Sequence, residues 1–130
     1  MPSVLIEVRR AYTPEQEVAI IDAVHAALVQ AFKIPDEDRF SRLLSYPPHR
    51  MVDGPLPGEA DGYTRVTIDC FPGRSLQAKQ ALYRGIVERL EPLGMPREKV
   101  SILLRESTFE NWGLSGEAAE ESGLGFTVAV

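Results

Sequence analysis

Val4-Leu5-Ile6-Glu7 and, 62 residues further on, Val66-Thr67-Ile68-Asp69 read as two versions of one strand. The first belongs to a short apolar run (SVLIEV), the second to an alternating, β-branched one (TRVTIDC); both patterns suit strands. The same offset sets Thr13 on Ser75, two good helix caps. Thr13-Pro14-Glu15-Gln16 adds a proline at the first helical position and a glutamine that closes a capping box. Ile21, Val24, Leu28 and Phe32, and then Leu82, Ile86, Leu90 and Leu93, recur at helical spacing. Past the helices, Ile34-Pro35-Asp36-Glu37 answers to Met95-Pro96-Arg97-Glu98. Further strands fit residues 39–45 (RFSRLLS), 100–104 (VSILL) and 126–130 (FTVAV).

A duplicated β-α-β unit follows, with pseudo-repeats over about 2–45 and 64–106. The Pro- and Gly-rich stretch 46–63 connects them, with room for a small hairpin around Met51-Val52, and 107–130 forms a C-terminal extension. Parallel strands within each unit need a right-handed helical crossover. The expected fold is α+β: two layers, a four-stranded mixed sheet with two helices on one face. Neither half could bury a core alone, so one domain is expected. The other sheet face is left bare, and apolar strands there call for a second subunit.

Composition narrows the partners. The 130 residues are 44% apolar with a net charge of −5, which argues against disorder. No Lys/Arg run exists, which argues against nucleic acid, and apolar stretches are too short to span a bilayer. The single cysteine, Cys70, excludes an intramolecular disulfide and cysteine-based zinc clusters. With no signal peptide apparent, a cytoplasmic location is expected.

Few side chains offer chemistry. His25, beside the first helix stripe, reads as a structural or interface residue, and His49 as a solvated loop residue. Cys70 at a strand end reads as a small buried apolar group. Pro2 is sharper: removal of Met1 would leave a rigid secondary amine. Primary α-amino groups titrate at about 7.7–8.0, and proline's amine is intrinsically more basic. Burial or a neighbouring cation would lower that value toward the range useful for moving a proton at carbon. A retained Met1 would make the nitrogen a non-basic amide, and the chain a non-catalytic oligomer of the same fold. Arg74 follows Phe71-Pro72-Gly73 just before the second helix, where a guanidinium suits a carboxylate; a surface arginine on a turn is the plain alternative.

These residues resemble the tautomerase superfamily, within it the malonate semialdehyde decarboxylase-like proteins. The likeness rests on Met1-Pro2, Phe32-x-Ile34-Pro35-x-x-Asp38-Arg39-Phe40, Arg50-Met51-Val52 and Pro72-Gly73-Arg74-Ser75 with Lys79 and Tyr83. Glu106, Asn111-Trp112-Gly113 and Leu124-Gly125-Phe126 complete it. The resemblance implies a cofactor-free enzyme, usually trimeric, that uses the amino-terminal proline and binds no metal. It implies that Pro2 is the acid/base, that Arg74 holds and polarises a small carboxylate substrate, and that Asp38 positions water. Phe71, Trp112, Leu114 and Phe126 would shape the pocket. As plain sequence, Asp38 is equally a residue of a solvated acidic turn. The decarboxylase pattern has arginines on both sides of the proline, whereas here Phe71 holds the first position. Keto–enol tautomerisation of a small 2-keto acid is therefore expected ahead of decarboxylation or hydration.

Overall fold

The computed structural model describes residues 2–52, 62–120 and 123. Strand β1 (Ser3–Val8) leads to helix α1 (Pro14–Phe32) and strand β2 (Ser41–Ser45). Strand β3 (Thr64–Cys70), helix α2 (Leu76–Leu90) and strand β4 (Val100–Glu106) repeat that order. A short hairpin follows, β5 (Gly113–Leu114) and β6 (Glu117–Ala118). Ser115 and Gly116 between them both take positive φ, 54° and 84°, the backbone a tight two-residue turn requires.

The four long strands form one sheet in the order β2-β1-β3-β4, parallel within each unit and antiparallel at the β1/β3 seam. Along that seam Leu5 faces Thr67, its own counterpart in the other unit. A pseudo-two-fold axis therefore passes between them, and the two units enter the sheet from opposite ends.

Both helices pack on one face, and the buried residues coincide in the two units. Val4, Ile6 and Val8 correspond to Val66, Ile68 and Cys70; Ile20, Val24 and Leu28 correspond to Leu82, Ile86 and Leu90. All twelve are at most 1% exposed, and their burial against the helices is the main drive to fold. The expected stripe needs one correction: Ile20, not Ile21, is fully buried, while Ile21 packs at the edge of the core. Caps match as well. Thr13 Oγ1 accepts from Gln16 N at 3.2 Å, Gln16 Oε1 accepts from Thr13 N at 2.9 Å, and Ser75 Oγ accepts from Ala78 N at 3.1 Å.

Three details differ from expectation. Strand β2 begins at Ser41 rather than at residue 39, because the chain turns at Asp38 and Arg39 before it pairs. Met51 and Val52 are not in a strand, and the residues after them lie outside the described part, as does the strand expected at 126–130. The bare sheet face is also less apolar than the strands suggested. It carries Leu5, Leu44 and Leu103, but also Arg42, Arg65 and a bidentate Arg105–Asp69 pair at 2.8 and 2.9 Å. Strict alternation is the reason: every second residue of β1 and β3 belongs to the helix side, so the other face keeps the polar half. A cleft of ≈ 380 Å³ on this face is lined by Leu5, Glu7, Tyr63, Arg65 and Leu103, among others. Among the described residues no helix is long and apolar enough to cross a membrane.

Candidate active site

One end of the sheet gathers most of the singled-out residues. Pro2 is buried immediately before β1, and the β1/β3 register carried one residue further sets it opposite Cys70. On its other side β2 begins in parallel, with Val4 N donating to Phe40 O at 2.8 Å, so the Asp38–Phe40 turn reaches the same end. Strands β3 and β4 finish here, pairing Cys70 with Glu106. Parallel pairing within units and antiparallel pairing between them thus brings two strand starts and two strand ends together.

Arg74 sits just past β3, where Gly73 at φ 127° turns the chain toward the cap of α2. It is only 7% exposed. That removes the surface-turn alternative. Its guanidinium lies over the Phe32 ring, 4.7 Å from the centroid, so the last residue of the first helix supports an arginine of the second unit. Nη1 donates to Phe71 O at a long 3.4 Å, and Nε and Nη2 are buried with no partner among the described residues. Burial lowers the guanidinium's pKa from its ordinary value, opposed by Cys70, Glu106 and Asp38. A buried donor without an acceptor costs about 1–3 kcal/mol. Two such donors on one planar fork match the geometry of a carboxylate.

An aromatic wall stands beside it. Phe71 is fully buried, stacked on Phe109 at 4.4 Å between centroids and tilted against Trp112 at 5.1 Å. Trp112 Nε1 donates to Ser107 O at 3.3 Å, and Ala119 N donates to Trp112 O at 2.8 Å, which ties the β5–β6 hairpin under the indole. Phe109 was missed in the sequence. Its signal is the Phe109-x-x-Trp112 spacing, which places both rings on one side of a three-residue-per-turn helix. Lys79 pairs with Glu106 at 3.0 Å at the rim.

Pro2, Asp38, Phe71, Arg74 and Trp112 therefore share one end of the molecule. Leu114, half-buried on β5, joins them only through the hairpin that carries Trp112, and Phe126 lies outside the described residues. Cys70 is buried, and burial raises its thiol above the ordinary range, so it is a packed neutral group. His25 is buried, with Nε2 2.7 Å from Asp36 O. His49 is exposed in the turn that follows β2, at the opposite end of the sheet.

The fold and this site define a class, and the comparison with protein families agrees: residues 38–115 match the tautomerase enzyme family, to which the chain belongs. Among solved structures, FG41 malonate semialdehyde decarboxylase inhibited by 3-bromopropiolate is similar at 28% identity and a TM-score of 0.76, covering 87% of this chain and 88% of that one. A second malonate semialdehyde decarboxylase is similar at 25% identity and a TM-score of 0.75, over 87% and 90% of the two chains. A native fused 4-OT shares the fold at 17% identity and a TM-score of 0.82, over 95% and 99%. No curated protein matches the sequence.

Proposed function

We propose that the protein is a cofactor-free tautomerase acting on a small 2-keto acid or its enol, with Pro2 as acid and base after removal of Met1. Buried Arg74, whose Nε and Nη2 have no partner among the described residues, at the sheet end where Pro2 sits, is the observation that carries this reading. The substrate carboxylate accepts from Nε and Nη2, which removes the cost of the orphaned donors. The Pro2 nitrogen then takes the proton of the 2-hydroxyl. As that O–H pair becomes the C2 carbonyl, the C2–C3 double bond takes a proton at C3, delivered by the prolinium. Proton count and oxidation state are unchanged. Arg74 also bears the enolate charge, where a preorganised cation in a dry site is most effective. Phe71 and Trp112 keep water from the amine, whose free-base form burial and the nearby guanidinium both favour.

A second reading is decarboxylation of a 3-oxo acid, favoured by the likeness to the two malonate semialdehyde decarboxylases. Phe71, stacked into the aromatic wall, stands where a second arginine would serve that reaction. Asp38 would orient water there. The open sheet face, with its Leu5, Leu44 and Leu103 and its paired charges, is the surface on which copies of the chain would assemble as a homotrimer.

Intact mass first establishes whether Pro2 is the amino terminus. Ketonisation of an enol-pyruvate, and aldehyde release from malonate semialdehyde, are then measured for the wild type, Pro2→Ala and Arg74→Ala. Tautomerisation predicts fast ketonisation lost in both variants; equal rates in all three would sink the proposal.

A further inference from the structure

The turn that brings Asp38 to the site has no regular structure of its own, yet it is fastened to α1 at two points. His25 and Asp22 lie three residues apart on that helix and therefore face the same way. His25, 3% exposed, places Nε2 2.7 Å from the carbonyl oxygen of Asp36. A carbonyl only accepts, so Nε2 carries a hydrogen there; Asp36 Oδ1 lies 3.5 Å from the same nitrogen. Asp22 Oδ1 accepts from Arg39 Nη2 at 2.7 Å on the exposed side. Between these anchors Asp38 N donates to Pro35 O at 3.0 Å and Arg39 N donates to Glu37 O at 2.9 Å. The turn thereby carries Asp38 to the sheet end where Arg74 lies, near enough for its charge to act on the guanidinium.

We infer that His25 is a positioning residue: with Asp22 it clasps the 36–39 turn to α1 and so fixes Asp38 at the sheet end where Arg74 lies and the substrate is proposed to bind. A histidine suits this task because its flat ring reaches the Asp36 carbonyl from within the packed helix layer, leaving one donor where one acceptor must be satisfied. An apolar residue of equal bulk would fill the space and release the turn. The inference rests on the proposed use of Asp38 in the site, but the clasp itself is measurable without turnover.

In the wild-type protein with Pro2 at its amino terminus, the imidazole nitrogen-15 spectrum should show His25 protonated at Nε2 with a slowly exchanging hydrogen. An Nδ1–H tautomer, or a freely exchanging Nε2–H, overturns the clasp. His25→Leu should abolish exchange protection of the Asp38 amide, and His25→Gln, whose amide can donate to the same carbonyl, should restore it. In kinetics, His25→Leu should lower kcat by about tenfold to the ~100-fold that a 1 Å misplacement costs, with His25→Gln recovering most of it. The decisive arm is the cycle with Asp38→Asn: His25→Leu should cost little in that background. Full additivity would mean that the histidine acts only through stability. Should the wild type itself lack any activity that Pro2→Ala removes, the functional reading fails, while the imidazole and amide measurements still decide the clasp. If His25→Leu does not fold, the wild-type tautomer and His25→Gln decide it.

Discussion

The two ends of the sheet are built alike and do different things. At one end Pro2 precedes β1, Arg74 lies buried over Phe32, and Asp38 approaches from the neighbouring turn. At the other, the pseudo-two-fold axis puts Thr64 where Pro2 would be and Tyr12 where Arg74 would be. Thr64 is fully buried and its hydroxyl donates to Gly62 O at 3.2 Å; Arg9 spans the same end, donating to Met51 O at 2.9 Å and lying over the Tyr63 ring. Duplication copies strands, caps and core positions faithfully. It cannot copy a chain terminus, because the second unit is entered through a peptide bond. Under the proposed removal of Met1, an amine stands at a strand start at one end only.

The comparison breaks first at Pro2. Pro2→Ala keeps a primary amine but loses the rigid ring, and ketonisation should fall by about 100-fold or more, within the range assigned to a positioned acid/base; steady-state rates check it. Retention of Met1 should abolish the activity outright, which comparing processed and unprocessed protein would reveal.

Next comes Arg74. Arg74→Leu should cost ~100- to 1,000-fold in kcat/KM, while the thermal midpoint holds or rises, because a buried, incompletely paired charge is replaced by an apolar group. A drop in both would make the arginine structural. The mirror experiment sharpens this: Tyr12→Arg in a Pro2→Ala background should restore nothing, since Thr64 supplies no amine.

Cys70 gives a smaller, pH-dependent effect. Burial raises its thiol, so the folded state favours the protonated form. The stability this provides is complete below the thiol pKa of the unfolded chain and is lost as pH rises toward and through the folded value. Urea midpoints should therefore decline on the alkaline side, and Cys70→Val should flatten that decline. Its counterpart Val8 has no such dependence.

The smallest effects test the symmetry itself. Thr13→Ala and Ser75→Ala should each cost about 1 kcal/mol in urea unfolding. Thr13→Ala should cost somewhat more, because only that cap is a closed box with Gln16.

Much of this was legible before any coordinates. Val4 and Val66, Thr13 and Ser75, and the two helix stripes announce a duplicated unit, since period and offset are local properties of the chain. The family likeness offers Pro2, Arg74, Asp38, Phe71 and Trp112 as one set, and the strand pairing carries their segments to the same end of the sheet. Ile20 takes the buried place that the stripe assigns to Ile21, because helical spacing fixes a stripe only to within one residue until the opposing sheet is known. Phe32 beneath Arg74 and the grip of His25 on Asp36 are not readable, since each contact joins segments whose approach no local pattern encodes.

What the sequence by itself determined is the unit, its repetition and the capped helices, because backbone preference and hydrophobic period act over a few residues. Only the tertiary structure decided that Arg74 is buried with two donors unmet among the described residues, and that the bare sheet face is half charged. Burial and the pairing of polar groups are properties of what surrounds a residue. That surrounding exists only once the two units close on each other.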